Sequence, residues 1–221
     1  MTRPAPLLLF DLDGTLIDSA PDLAGAANDL RARHGLPPMA LQALRPMVGS
    51  GARGMVGLAF GLTPDDANFA GMKDAFLSAY ADRLLQQTRI FDDMAPVLDL
   101  LDAQGLRWGI VTNKAMRYTE PIAQGLGLAR RAAVIIAGDT TPHAKPHPGP
   151  LLEAARRLGV LPSACVYIGD DHRDIVAGQA AGMATLAAAW GYLGQGTAIG
   201  DWCADQVLDS PVALLQWLEL A

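Results

Sequence analysis

The chain has 221 residues, 51% of them hydrophobic and 18% charged, with a net charge of −6. That balance belongs to a packed globular protein and excludes a disordered one. The acidic excess, with no Lys/Arg block, excludes a nucleic-acid backbone as partner, so an anionic small molecule needs a local cation to receive it.

The first predicted element is a strand over the apolar run Leu7 to Phe10, which stops at Asp11. Four residues are too few for a signal-peptide core or a membrane span. Cys165 and Cys203 match no metal-site spacing, and the whole reads as a soluble, cytosolic protein. After "DSAPD" the residues Leu23, Ala26, Ala27 and Leu30 recur at helical intervals until "HGLPP" halts them. His34 there reads as a partner for the helix C-terminal dipole. "MVGSGARGMVGLAF", Met47 to Phe60, reads as a glycine-rich turn into a helix. A further helix is predicted from about Pro64 to Leu85, with Thr63 as its N-cap. No strand is expected between residues 17 and 90, so this region is a helical insertion.

From residue 90 onward the pattern alternates. Strands are predicted at 107–112, 132–137, 164–169, 184–189 and 205–209, and helices at 95–105 and 149–159. The strand runs are apolar throughout rather than alternating, which indicates a parallel sheet covered on both faces. The expected fold class is therefore α/β: a doubly wound core from residues 1–16 and 90–221, carrying a helical cap from 17–89.

Ligands of open parallel sheets bind beyond the carboxyl ends of the strands. The first strand ends in Asp11, with Asp13 two residues on and therefore on the same side. The second ends in Thr112, followed by Asn113. The loop after the third contains Lys145, and the fourth runs into "GDDHRD", with Asp170, Asp171 and Asp174. Gathering several carboxylates at one edge costs several kcal/mol per ion unless a cation compensates. A hard divalent ion, Mg²⁺, is the simplest remedy, because it prefers oxygen ligands together with phosphate.

These residues resemble the haloacid dehalogenase superfamily, whose four motifs appear in order over nearly the whole chain. They are DxDGT (Asp11, Asp13, Gly14, Thr15), the strand-end Thr112, Lys145 in "KPHP", and GDxxxD (Asp170, Asp174). The resemblance implies a Rossmann-like core with a cap of the first type. It also implies a Mg²⁺-dependent phosphatase acting on a small-molecule phosphate monoester. In that pattern Asp11 is the nucleophile and Asp13 the general acid and base. The metal is held by Asp11, Asp170 and the backbone carbonyl of Asp13, with Asp174 just behind. Thr112, Asn113 and Thr15 fall on the phosphate side, and Lys145 cancels the repulsion between carboxylate and phosphate. Asp171 has no assigned role. Asp13 argues against the dehalogenase branch, Thr15 against the sugar-phosphate mutases, and the lack of membrane helices against the transport ATPases.

The cap must choose the alcohol. Gly51 and Arg53 in the glycine-rich turn are the candidates, the arginine as a bidentate clamp for a carboxylate. The turn resembles that of phosphoglycolate phosphatases. "GSGARGMVGLAFG", "GLRWGIVTNK", "YTEPIAQGLGL" and "GDDHRDI" resemble N-acetylmuramate 6-phosphate phosphatases more. Both substrates bear a carboxylate, so Arg53 fits either. His143, His147, His172 and Tyr192 are weaker candidates near the site. A non-catalytic phosphate-sensing module is the rival from another class, and the sequence carries no signal of oligomeric state.

Overall fold

Five short apolar runs line up beside the strand β1, Leu7–Phe10, in a computed structural model that describes residues 6–220. They are β4 (Trp108–Val111), β5 (Ile135–Ile136), β6 (Cys165–Gly169), β7 (Ala184–Ala188) and β8 (Gln206–Leu208). The sheet order is β5-β4-β1-β6-β7-β8, every pairing parallel. In register, Leu8 stands between Trp108 and Val166, and Phe10 between Ile110 and Ile168.

Successive side chains of β1 point to opposite faces, and both faces are buried. Leu8 and Phe10 join one core cluster with Trp108, Ile110 and Ile168. Leu7 and Leu9 join the other with Val111, Ile136, Leu151 and Tyr167. This is why the sequence shows unbroken apolar runs, each buried Leu or Phe contributing about 1.5–3 kcal/mol. The helices α5 (Met94–Ala103), α6 (Met116–Gly125), α7 (Gly149–Leu158), α8 (His172–Ala180) and α9 (Pro211–Trp217) connect or follow the strands.

The insertion between β1 and β4 is helical, made of α1 (Ala20–Arg33), α2 (Leu41–Leu44), α3 (Gly51–Phe60) and α4 (Phe69–Ala81). The last cap helix starts five residues after the expected Pro64, because Thr63 does not cap it, and ends at Ala81 rather than near Leu85. Thr63 closes a turn instead, its N–H and hydroxyl donating to Asp66 Oδ2 at 2.6 and 2.9 Å. Strands also exist where none was expected: β2 (Ile17–Asp18) and β3 (Arg89–Ile90) form an antiparallel ribbon. It sits at the two points where we divide core from cap. Two-residue strands are too short to show a period.

Buried acids fix both crossings. Asp22, fully buried, accepts from the N–H groups of Gln87 and Thr88 and from the Thr88 hydroxyl, at 2.7–3.1 Å. Asp18 pairs with Arg45 at 2.8 Å and accepts from the Tyr192 hydroxyl at 3.1 Å. That hydroxyl in turn accepts from the N–H groups of Ser19 and Ala20, at 2.8 and 3.1 Å. His34 occupies the C-cap of α1, its ring edge-on to Phe60 at 5.9 Å. Among the described residues no helix is long and apolar enough to cross a membrane.

Candidate active site

Asp11 follows directly on β1, and its N–H donates to Ile168 O on β6 at 2.9 Å. The ladder thus holds Asp11 beside Asp170, which follows the last residue of β6. Thr112 directly follows the neighbouring strand β4 on the other side. Asp174 lies in the first turn of α8, where the Asp171 N–H donates to Asp174 Oδ2 at 3.1 Å and the Arg173 N–H to Asp171 Oδ1 at 2.9 Å. Asp171, unassigned from sequence, is therefore the N-cap of α8 and fixes where Asp174 points.

Lys145 is 5% exposed and forms the centre of the site. Its ammonium lies 2.9 Å from Asp11 Oδ1 and 2.7 Å from Asp174 Oδ1. It donates to Val111 O at 3.0 Å and to the Tyr167 hydroxyl at 2.7 Å, and that hydroxyl donates to the same carbonyl at 2.7 Å. Asn113 locks the lysine backbone, its amide donating to Lys145 O and accepting from Lys145 N, both at 2.9 Å. Burial alone would pull this ammonium down, but Asp11 and Asp174 outweigh it and the net shift is upward.

Oxygens of Asp11, Asp170 and Asp174 all lie within 4.8 Å of one another. Burial raises the Asp11 carboxyl from 3.8 to about 7, with Lys145 pulling the other way. Burial, then the charges of Asp11 and Asp174, push Asp170 well above the usual carboxylate range. Asp11 Oδ1 is buried, and the Lys145 ammonium 2.9 Å away is its protein contact. Thr15 Oγ1 and the Tyr192 N–H orient Asp170 from 2.9 and 2.8 Å. Gly14 and Gly191 make room for it: a Cβ on either would stand 2.1 Å from an Asp170 side-chain atom, and Gly14 also has φ +86°. A rigid, anionic, all-oxygen pocket of three clustered carboxylates fits a hard divalent cation.

Above this floor lies a cleft of about 250 Å³, walled on the cap side by Leu23, Val48, Phe76, Leu77 and Tyr80. Asp11, Asp13, Thr112, Asn113, Lys145, Asp170, Asp174 and Gly51 all line it. Two expected residues do not. Thr15 is fully buried and its hydroxyl is spent on Asp170. Arg53 is exposed on α3, one of its outward-facing positions, and is absent from the cleft wall. The Asp13 carboxylate is separate from the acidic trio. It takes Lys114 Nζ on both oxygens, at 2.8 and 2.9 Å, and the Ser19 hydroxyl on one. Lys114 was missed in the sequence, although its place two residues past a strand end was a usable signal. Tyr80, Arg117 and Arg173 also line the cleft and had no such signal. His143, His147 and His172 are exposed and stay off the wall, and Tyr192 is buried beneath it.

Known proteins carry the same arrangement of elements. The family model of haloacid dehalogenase-like hydrolases matches residues 8–188. The N-acetylmuramic acid 6-phosphate phosphatase of Pseudomonas aeruginosa is 42% identical over 214 residues, covering 97% of this chain and 95% of that one. A phosphoglycolate phosphatase of Xanthomonas campestris is 45% identical over 208 residues, covering 94% and 93%. The crystal structure of a protein described as a predicted phosphoglycolate phosphatase from Haemophilus somnus superposes with a TM-score of 0.85. It is 28% identical and covers 98% of this chain and 99% of that one. With the acidic trio and its lysine at the strand ends, the chain belongs to the haloacid dehalogenase-like hydrolase family.

Proposed function

We propose that the protein is a Mg²⁺-dependent phosphomonoester hydrolase that works through an aspartyl phosphate on Asp11, on a small ester bearing a carboxylate. The observation that carries this reading is the Asp11 carboxylate on the cleft floor, wedged between Lys145 and the acids Asp170 and Asp174. Asp11, Asp170 and Asp174 would hold the ion, which when bound supplies positive charge against the phosphoryl oxygens. Asp11 attacks phosphorus and the bond to the ester oxygen breaks. Lys145 offsets the repulsion between the carboxylate and the dianion. Asp13 must hold a proton when the ester is bound; it gives that proton to the departing alkoxide, and Lys114 stabilises the carboxylate left behind. Asp13 then takes a proton from the water that releases phosphate and restores Asp11. Thr112 and the Asn113 N–H receive the phosphoryl oxygens.

A cleft of about 250 Å³ suits an ester smaller than a drug-sized ligand, for which pockets run from about 300 Å³ upward. 2-Phosphoglycolate fits that limit. The apolar side chains Leu23, Val48, Phe76 and Leu77 on the cap side favour a second reading, N-acetylmuramate 6-phosphate, whose ring and acetyl group offer apolar surface.

Hydrolysis of a chromogenic phosphate ester, with and without chelator, tests the class. Release that needs Mg²⁺ and is abolished in Asp11→Asn supports the enzyme; no release with metal present supports a phosphate sensor instead. Side-by-side kcat/KM for the two named esters decides the substrate, because preference is a difference in transition-state binding.

A further inference from the structure

We infer that Tyr80 and Arg117 form the subsite that reads the alcohol part of the ester, with Arg117, rather than Arg53, receiving its carboxylate. This rests on the phosphatase reading and goes beyond it by naming the residues that select the substrate.

Elimination among the cations of the cleft wall points to Arg117. Lys145 is spent on Asp11 and Asp174, and Lys114 on Asp13. Arg173 is spent on Asp171, with Nε and Nη2 each 2.8 Å from it, and on the carbonyl of Gly49. Arg117 alone among these has no carboxylate partner within the described residues. Its guanidinium lies 4.6 Å from the Tyr118 ring centroid, a platform that holds the charge at the cleft.

Tyr80 supplies the second, independent observation. It is 2% exposed, it lines the cleft, and its hydroxyl makes no well-aligned hydrogen bond, with only a looser approach to Lys114, itself spent on Asp13. A buried hydroxyl left unpaired is costly in the free protein and becomes an asset only when a ligand pairs it. Its ring lies 5.6 Å from that of Tyr118, and Lys114 sits 4.9 Å from its centroid. The cap helix α4 thus brings one unpaired hydroxyl to the aromatic pair that carries the one unpaired cation of the core wall. An ester with a hydroxyl or ether oxygen and a carboxylate on its alcohol part satisfies both.

The test uses matched esters. N-acetylmuramate 6-phosphate is compared with N-acetylglucosamine 6-phosphate, which lacks only the carboxylate-bearing arm, and 2-phosphoglycolate with ethyl phosphate. Arg117→Ala should lower the kcat/KM preference for the carboxylate member by roughly tenfold, mostly through KM. That is the low end for a charge-assisted hydrogen bond, because Arg117 is exposed. Arg53→Ala should leave the preference unchanged. Tyr80→Phe should lower kcat/KM for the favoured ester by about threefold to tenfold while its Tm stays level or rises, since the lost hydroxyl made no well-aligned hydrogen bond. Equal losses on both members of a pair, no loss, or a preference that follows Arg53 would overturn the subsite. Calorimetric titration of the same pairs into the Asp11→Asn protein reads the preference without turnover. A wild type that hydrolyses nothing would therefore sink the phosphatase reading separately, while equal affinities for the pair members would sink this one.

Discussion

Stripping divalent cations from the protein should cost stability by an amount that grows with pH. The Asp11 carboxyl is raised from 3.8 to about 7, chiefly by burial. A carboxyl whose folded value lies above its unfolded value holds its proton more tightly in the folded chain. Its contribution to metal-free stability is therefore complete below about pH 4, declines as pH rises toward 7, and is gone above that. A cation needs the ionised form and competes with that proton. At pH 5.5 the competition weakens apparent cation affinity by about 30-fold relative to pH 8, or about 2 kcal/mol. For a chain of this length 1 kcal/mol moves Tm by about 2–4 °C. The Tm gain from saturating Mg²⁺ should thus be at least about 4–8 °C smaller at pH 5.5 than at pH 8, since Asp170, also raised by burial, competes in the same direction. Scanning calorimetry on stripped protein, with and without Mg²⁺, measures the difference. A Mg²⁺ gain that is equal at both pH values, or larger at pH 5.5, would refute the reasoning.

Lys145→Met leaves Asp11 and Asp174 without their counter-ion, and urea unfolding of the metal-free protein at pH 8 should show a loss of about 3–5 kcal/mol. Stability within about 1 kcal/mol of wild type would contradict the central place given to the lysine. Gly191→Ala drives a Cβ to 2.1 Å from Asp170, so the Mg²⁺-dependent rise in Tm should shrink markedly, with about 1–3 kcal/mol lost from the fold itself. A full Mg²⁺ response would mean that Asp170 is not held where the geometry puts it. Lys114→Met should lower kcat by about 100-fold while keeping the Mg²⁺ response, because the lysine serves Asp13 and lies outside the acidic trio. Wild-type kcat would show that Asp13 works without it.

The parts of the fold visible in the sequence were those that repeat a physical demand over several residues. "CVYIG" had to be apolar throughout because both its faces are covered, and the carboxylate after it had no folding reason to be there. Asp11 and Asp170 stood out on that ground, and Lys145 only by its place in a loop on the same edge of the sheet. Sheet order did not, since nothing in β1 names β4 and β6 as its neighbours. The ribbon at Ile17–Asp18 was too short for any period, and Thr63 was read as a helix cap when its hydroxyl closes a local turn with Asp66. Arg53 stands off the cleft wall for a related reason: a glycine-rich turn shows that backbone passes close to something, but not which way the next side chain points. Tyr80 and Arg117 meet only through packing between cap and core, which no local pattern encodes.

The central claim is that the Asp11 carboxylate itself takes the phosphoryl group. Mixing enzyme, Mg²⁺ and excess ester, quenching in acid within one turnover, reducing with borohydride and sequencing the peptides by mass spectrometry reads it directly, since an acyl phosphate is reduced to homoserine. Homoserine at position 11, absent without ester, is the predicted result. Turnover with no homoserine at any aspartate, or with homoserine at Asp13, Asp170 or Asp174 instead, would contradict the account.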